Sequence, residues 1–319
     1  MKLMQPIIDV DTGNIIVLSG QVLTEELIKR LKKFKDLQVW VEMSIDENSG
    51  GVSKTLEVKY QCYTHMLKNI MEAGIRDNVN IEELRNLTDD IMEQFKYSFD
   101  ILGCINLIKN EAEGVYKHSL NVTFLSLLMG RWQGFKDDKL RQLVMAGLVH
   151  DIGKLDMKDE SNSDLQNKIQ YRKHPIYSYE RLRRLKELDP DVLRGILTHH
   201  ERCDGSGFPL NVKEEHINDI GRILGLADTY DELKEHYNIF KVIQILRYDM
   251  IHQFDTSLLL ELCNNVANYY IGMSVLLSTG EVAEVILIHP NALHRPLVKV
   301  GERYLELINC QDIQIEKVL

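Results

Sequence analysis

The sequence predicts a mainly helical protein, with a helical bundle in its centre and small β-containing units at its N- and C-terminal ends. Apolar residues recur at helical spacing from about residue 55 to 265. Runs rich in β-branched residues, separated by turn signals, occupy residues 1–45 and return after about residue 268. The chain has 319 residues, which is enough for two or three folding units with a sizeable core.

Residues 1–45 indicate a small β/α unit. The runs PIIDV and IIVL predict two strands, and DTGN between them is a turn signal. Thr24 is a suitable N-cap for a helix over EELIKRLKKF, with Glu25 and Glu26 in the first turn. LQVWVEM predicts a third strand and SIDENSGGVSK a linker, so we assign a linker and connecting helices to residues 46–96.

The central region, residues 97–265, contains three amphipathic helices over LRQLVMAGLVHDIGK, DVLRGILTHH and NDIGRILGLADTYDEL, and KDESNSDLQNK is a polar loop between the first two. In each helix a polar residue extends the apolar stripe, namely His150, His200 and Asp228. A single histidine there is usually a hydrogen-bonded core residue. Several polar groups on converging apolar faces would be costly to bury unpaired, so a shared metal ion is the simpler explanation.

The spacing of the polar residues indicates how metal ions would be held. His150 and Asp151 are adjacent, so their side chains point about 100° apart on a helix. A carboxylate at position 151 can bridge two metal ions with one oxygen on each, and His199 and His200 can serve a second centre or lie between two. Nitrogen and oxygen ligands without thiolates suit Fe, Mn, Zn or Ni, and octahedral Fe or Mn best.

Residues 266–319 predict a small antiparallel β unit. MSVLLSTGEVAEVILI contains two β-rich runs around the turn STGE. The loop HPNALHRP follows, and LVKV is another short strand. The two terminal units could be interaction modules or covers for the helical domain.

Composition narrows the classes of partner and the compartment. The formal net charge of −10 argues against DNA and anionic membranes as partners, because both need a basic surface. No apolar run approaches the roughly 18 residues of a membrane helix, and MKLMQPIIDVDTG lacks the apolar core of a signal peptide. The five cysteines are scattered and form no C-x-x-C motif, which is typical of reduced thiols. We therefore expect a cytoplasmic protein.

Five ordered motifs make this chain similar to the HD-GYP domain family, a branch of the HD metal-dependent phosphohydrolases. They are YKHSLNV (116–122), HDIGK (150–154), HP (174–175), HHERCDGSGFP (199–209) and ADTYD (227–231). The resemblance covers about residues 97–265 and implies an all-helical domain, an HD-type helical bundle. The segments LSGQVLTEELIKRL and STGEVAEVILIHP also resemble modules at the ends of stand-alone HD-GYP proteins.

The resemblance implies a signalling phosphodiesterase that hydrolyses a cyclic dinucleotide, cyclic di-GMP above all, through attack by a metal-bridging hydroxide. It implies two divalent transition-metal ions, Fe or Mn, with Zn or Ni as alternatives. The metal ligands implied are His118, His150, Asp151, His174, His199, His200 and Asp228. Lys154 and Asp151 are implied as catalytic residues, with Lys154 stabilising charge on the phosphoryl oxygens. The residues expected to bind substrate are Lys154, Arg202, Gly207, Phe208 and Pro209.

The chain departs from the family pattern in its third-metal position and in its substrate-binding segments. Gly114 replaces the glutamate that holds a third metal ion in some members, which favours two metal ions and linear pGpG as the product. Phe208 replaces the tyrosine of the Gly-Tyr-Pro motif. ELKEHYNIFK, with Lys234 and Lys241 as its cations, replaces the arginine-rich segment that grips substrate phosphates. A KPG-type loop after HDIGK is also missing.

Two alternative functions stay open from the sequence. A catalytically weak or inactive receptor for cyclic dinucleotides, or a protein-interaction module, would keep the metal ions for structure and lack the arginine-rich segment. Another HD-type chemistry, either nucleotide monophosphate hydrolysis or a diiron oxygenase reaction, would use the same ligands. The resemblance also suggests a diguanylate-cyclase-type protein as a partner and a homodimer as an assembly.

Overall fold

The structure is a computed structural model. It describes residues 79–95, 101–103, 105, 114–157 and 169–319, a helix over residues 50–75 with side chains from Val58, and four short strands before residue 43. The predicted helix EELIKRLKKF and the predicted loop KDESNSDLQNK lie outside the described residues. Two compact units are present, residues 1–55 and 56–319. The finer division at residues 45, 96 and 265 stays a prediction.

The first unit contains two antiparallel strand pairs. β1 (Lys2–Leu3) pairs with β4 (Val41–Glu42), and β2 (Ile7–Ile8) pairs with β3 (Ile15–Val17). The β2–β3 pair joins the two runs that the sequence marks as strands around the turn DTGN, and β4 lies inside the predicted third strand.

The second unit is mainly helical, as predicted. Its described helices are α1 (Gly50–Ile75, which starts in the first unit), α2 (Ile81–Gln94), α3 (Gly114–Trp132), α4 (Asp137–Val149), α5 (His174–Leu182), α6 (Pro190–Thr198), α7 (Asp219–His236), α8 (Ile239–Gln244) and α9 (Thr256–Tyr269). A 3-10 turn, Ile152–Asp156, follows α4, and a π-helical turn, Ile245–Asp249, continues α8. Since α1 begins at Gly50, the second half of the predicted linker is helical.

Side-chain caps fix where several of these helices begin. An asparagine or aspartate just before the first turn accepts hydrogen bonds from backbone N–H groups that have no partner inside the helix. These caps are Asn80 of α2, Asp189 of α6, Asn218 of α7, Asn238 of α8 and Asp255 of α9. They place α6 and α7, which carry candidate ligands, in a defined register.

The helices that carry the candidate site pack closely because of glycines. A Cβ atom on Gly225 of α7 would collide with the carbonyl oxygen of His199 at the end of α6. A Cβ atom on Gly153 would collide with the carbonyl oxygen of His174 at the start of α5. Glycine at these positions therefore lets the end of α6 approach α7 and the turn after α4 approach the start of α5.

The C-terminal β unit is a five-stranded antiparallel sheet in the order β8–β7–β6–β5–β9. Its strands are β5 (Ser274–Leu277), β6 (Val282–Leu287), β7 (Leu297–Val300), β8 (Arg303–Glu306) and β9 (Ile315–Val318). The predicted hairpin and third strand are β5, β6 and β7. The sequence does not reveal β8 and β9, since both are short edge strands whose residues are mostly exposed and carry little alternation.

Within the described part of the chain, no helix is both long and apolar enough to cross a lipid bilayer.

Candidate metal centre

The seven candidate ligands lie within three helices, α3, α5 and α7, and directly after two others, α4 and α6. Five lie at helix ends: His150 and Asp151 after α4, His174 as the first residue of α5, and His199 and His200 after α6. His118 and Asp228 lie inside α3 and α7. Six of the seven are at most 4% exposed, and the side chain of His118 is 12% exposed.

The fold brings all seven side chains together in two adjoining groups. The first group contains His118, His150, Asp151 and Asp228, and the second contains His174, His199 and His200. Within each group one ligand atom per residue lies within 4.8 Å of the others. Each group could therefore hold one metal ion, and the two groups could form a dinuclear centre. His199 and His200 thus belong to the same group.

Asp151 lies between the two groups. Its Oδ2 is 3.4 Å from His150 Nε2 and 3.6 Å from His118 Nε2, in the first group. Its Oδ1 is 3.1 Å from His174 Nε2 and 3.9 Å from His199 Nε2, in the second group. Each oxygen faces a different group, which is the arrangement that a bridging carboxylate needs.

Asp228 has a similar position on the other side. Its Oδ1 is 2.9 Å from His118 Nε2 in the first group, and its Oδ2 is 3.4 Å from His200 Nδ1 in the second. The two carboxylates therefore enclose the space between the histidine groups.

Backbone carbonyls fix the orientation of three histidines. The Nδ1–H groups of His150, His174 and His199 donate to the carbonyl oxygens three residues earlier, at 2.8, 2.7 and 2.6 Å. Because a carbonyl only accepts, the proton of each neutral ring lies on Nδ1 and the lone pair on Nε2. Nε2 then points toward the other ligands, which is how metal-binding histidines are usually held.

Several buried nitrogens carry lone pairs that a cation would satisfy. His174 Nε2 and His199 Nε2 lie 3.3 Å apart, although the tautomer argument leaves both with lone pairs and no proton to share. Among the described residues, neither His150 Nε2 nor His200 Nε2 makes a hydrogen bond. Such groups are costly to bury unpaired. The residues present therefore fit the two metal ions that the donor set favours.

Electrostatics prepares both kinds of ligand for a metal ion. Burial lowers the pKa of His199 to about 3 and, with His199 beside it, holds the pKa of His200 well below its usual value. Burial alone would raise the pKa of Asp151, but the adjacent His150 ring and the ammonium of Lys154 outweigh it and hold that pKa well below its ordinary value. Two neutral imidazoles and an ionised carboxylate are the protonation states that metal binding requires.

Lys154 lies at the edge of the first group. Its Nζ is 2.6 Å from Asp151 Oδ2 and 5.0 Å from the centre of the Tyr171 ring. Burial alone would lower the pKa of Lys154, but Asp151 outweighs it and raises that pKa, so the ammonium stays charged at neutral pH.

The glycine-rich loop after the histidine pair covers the second group. The Phe208 ring stacks on the His200 ring with centroids 4.5 Å apart. The guanidinium of Arg172 lies over the Phe208 ring, with its Cζ 4.8 Å from the ring centroid. The buried carboxylate of Glu201 holds the end of the loop, because it accepts from the N–H groups of Leu210, Asn211 and Val212. Gly207 lies against the backbone of residues 200–202, where no Cβ atom fits.

The remaining predicted cations have contacts within the protein. Arg202 donates from Nη2 to Thr229 Oγ1 at 3.0 Å and lies over the Phe254 ring. Lys234 donates to the carbonyl oxygen of Ile105 at 3.2 Å, and burial lowers its pKa to about 8. Lys241 donates to Gln244 Oε1 at 3.1 Å. A phosphate contact by Arg202, Lys234 or Lys241 therefore stays a prediction.

Sequence reasoning missed three residues near this centre. Arg172 and Tyr171 precede the HP motif, and nothing in a single sequence distinguishes them from surface residues. Asp231 hydrogen-bonds to His118 at 2.9 Å, and its position three residues after Asp228 is a signal that the helical spacing contained.

Comparisons with known proteins agree with this arrangement. The model of the HD domain family matches residues 103–251. A cyclic di-GMP phosphodiesterase of Pseudomonas aeruginosa is 27% identical over 241 residues, covering 72% of this chain and 58% of that protein. A cyclic di-GMP phosphodiesterase of Borreliella burgdorferi is 26% identical and covers 57% and 50%. A 3'3'-cGAMP-specific phosphodiesterase of Vibrio cholerae is 28% identical and covers 59% and 37%.

One solved structure shares the fold. Bd1817, an HDG"Y"P protein from Bdellovibrio bacteriovorus, aligns with a TM-score of 0.57 at 18% identity and covers 83% of this chain and 95% of that chain. The chain spans about half the length of the curated relatives it matches. Residues 103–251 of this chain are therefore similar to the HD domain family, and the fold is similar to that of an HDG"Y"P protein.

Proposed function

We propose that this chain is a metal-dependent phosphodiesterase that hydrolyses cyclic di-GMP to linear pGpG in the cytoplasm. The observation that supports it most directly is the position of Asp151 and Asp228 between two histidine groups. The names of the curated relatives support a cyclic dinucleotide as the substrate class. Two groups of ligands, with glycine at position 114, support two metal ions and therefore the linear product.

When bound, two divalent cations supply Lewis acidity, which lowers the pKa of water and neutralises charge on the phosphodiester. His118, His150, Asp151 and Asp228 would hold one cation, and His174, His199 and His200 the other, with Asp151 facing both. The Nδ1–H bonds of His150, His174 and His199 hold the rings in place, so the ligand positions need little rearrangement.

Lys154 supplies a positive charge beside the reacting phosphate. Its ammonium is held at the edge of the centre by Asp151, and the raised pKa keeps it protonated. A fixed cation at this position stabilises the negative charge that develops on the phosphoryl oxygens in the transition state.

Arg172 and the loop at Phe208 bind the substrate in place of the arginine-rich segment that this chain lacks. A cyclic dinucleotide carries a second phosphate, and Arg172 is a bidentate donor placed over the ring that covers the second ligand group. Gly207, Phe208 and Pro209 form the apolar side of this grip. Arg202, whose guanidinium already bonds to Thr229, contributes by holding the loop in position.

A receptor without turnover is the second candidate, and the contacts of Lys234 and Lys241 within the protein favour it. The experiment that separates the two incubates the full chain, purified without oxygen and loaded with Mn²⁺ or Fe²⁺, with cyclic di-GMP and with 3'3'-cGAMP, followed by chromatography. The proposal predicts pGpG from cyclic di-GMP. Binding without product at high protein concentration would support the receptor, and faster hydrolysis of 3'3'-cGAMP would reassign the substrate.

A further inference from the structure

A chain of buried hydrogen bonds leads from helix α1 to the candidate ligand His118. Tyr60 donates from its hydroxyl to Asn121 Oδ1 at 2.9 Å, and Asn121 Nδ2 donates to Asp231 Oδ1 at 3.0 Å. Asp231 Oδ2 is 2.9 Å from His118 Nδ1. Tyr60, Asn121 and Asp231 are 1%, 8% and 5% exposed, so these contacts are shielded from water.

His118 needs this arrangement because it lies inside α3. Three of the histidines at helix ends, His150, His174 and His199, donate Nδ1–H to a backbone carbonyl, whereas His118 donates Nδ1–H to a carboxylate. A carboxylate that accepts from Nδ1–H fixes the tautomer with Nε2 facing the metal and makes the imidazole a stronger ligand. His118 Nε2 accordingly points at Asp228 Oδ1 and Asp151 Oδ2.

Helical spacing explains how the residues of α3 and those of α7 meet. Asn121 lies three residues after His118 on α3, and Asp231 lies three residues after Asp228 on α7. Residues three apart lie on the same face of a helix. One ligand and one supporting residue from each helix therefore face each other across the α3–α7 contact.

Without the contact to Asn121, the carboxylate of Asp231 would be free to rotate. Asn121 occupies Oδ1, which leaves Oδ2 for His118. Because the Asp231 carboxylate only accepts, Asn121 Nδ2 faces it and Oδ1 faces Tyr60. The Tyr60 hydroxyl donates to that Oδ1 at 2.9 Å, and the carbonyl oxygen of Lys117 is a second acceptor at 3.4 Å. Tyr60 thus holds the Asn121 amide from the side opposite Asp231.

We infer that Tyr60, Asn121 and Asp231 are positioning residues that orient His118 as a metal ligand, and that α1 is part of the working metal centre. Tyr60 lies outside residues 103–251, which the HD-domain model matches. The inference rests on the metal binding proposed above. It means that the helix preceding the HD domain contributes to the affinity of the first ligand group for its cation.

The test is a metal titration of the full chain after removal of bound metal, with Mn²⁺ or Zn²⁺ added against a chromophoric chelator. In Tyr60→Phe and Asp231→Asn we expect the affinity for one of two cations to fall about 10-fold or more, the range seen for such supporting residues. The other cation should bind as in the wild type. Tyr63→Phe is the matched control, because Tyr63 is buried on the same helix and packs on Phe124, outside the chain that reaches Asp231.

A second measurement does not depend on metal. Long-range ¹H–¹⁵N spectra of the imidazoles should show a changed tautomer or a changed protonation signature for His118 in Asp231→Asn. Wild-type affinity at both cations in folded Tyr60→Phe would overturn the inference, whether or not Asp231→Asn folds. A wild-type chain that binds no metal would instead refute the proposed function, so the two failures are distinguishable.

Discussion

At the scale of single residues, Asp151 best explains why two histidine groups occur side by side. Its two oxygens face different groups, and the positive groups around it keep its pKa low in spite of complete burial. The bridging geometry was predictable from adjacent residues in HDIGK, because neighbours on a helix diverge. The hydrogen bonds from histidine Nδ1–H groups to backbone carbonyls were not predictable, since they depend on how each helix ends.

Lys154→Ala separates metal binding from transition-state stabilisation. The variant should keep its metal, because Lys154 is not a ligand, while kcat for cyclic di-GMP falls about 100-fold, as after loss of one transition-state donor. Steady-state kinetics with parallel metal analysis measures both quantities. An unchanged kcat would remove Lys154 from the mechanism.

Arg172→Ala tests the proposed grip on the second phosphate. KM for cyclic di-GMP should rise about 10-fold, since one charge-assisted contact is lost, and kcat should change less. Arg172→Lys should recover only part of the affinity, because an ammonium lacks the guanidinium fork. Lys173→Ala, which removes the neighbouring exposed charge, is the control; equal effects of the two alanine variants would show a general loss of positive charge instead.

At the scale of elements, the helices were largely predictable and their close approach was not. Apolar stripes mark α4, α6 and α7 in the sequence, and the caps Asp189 and Asn218 mark where α6 and α7 begin. The stripes do not tell which helices touch at their ends. That information resides in Gly225 and Gly153, whose missing side chains matter only once the opposing carbonyl oxygens of His199 and His174 are known.

Gly225→Ala should therefore disturb both the fold and the site. The added methyl group meets the carbonyl oxygen of His199, and such overpacking costs about 1–3 kcal/mol. Thermal denaturation should show a lower Tm, and metal affinity should fall because His199 moves. Gly114→Ala is the control, since its Cβ meets no described atom within 4 Å. Equal Tm values for the two variants would contradict this account of the packing.

At the scale of the whole molecule, buried polar groups at the centre of the helical unit make its stability depend on metal. A cation would satisfy the facing nitrogens of His174 and His199, and a ligand that binds only the folded state stabilises it. Treatment with a chelator should lower Tm, and Mn²⁺ or Zn²⁺ added afterwards should restore it. If the Tm is unchanged by the chelator in a sample shown to have lost its metal, the buried histidine nitrogens are satisfied in another way.

The most direct test of the account is the metal content of the full chain purified without oxygen, measured by elemental analysis beside Asp151→Ala and His150→Ala. A dinuclear centre predicts about two transition-metal ions per wild-type chain and a large loss of both in Asp151→Ala, together with activity. A wild-type chain that carries no metal, or an Asp151→Ala variant with unchanged metal content, would contradict it.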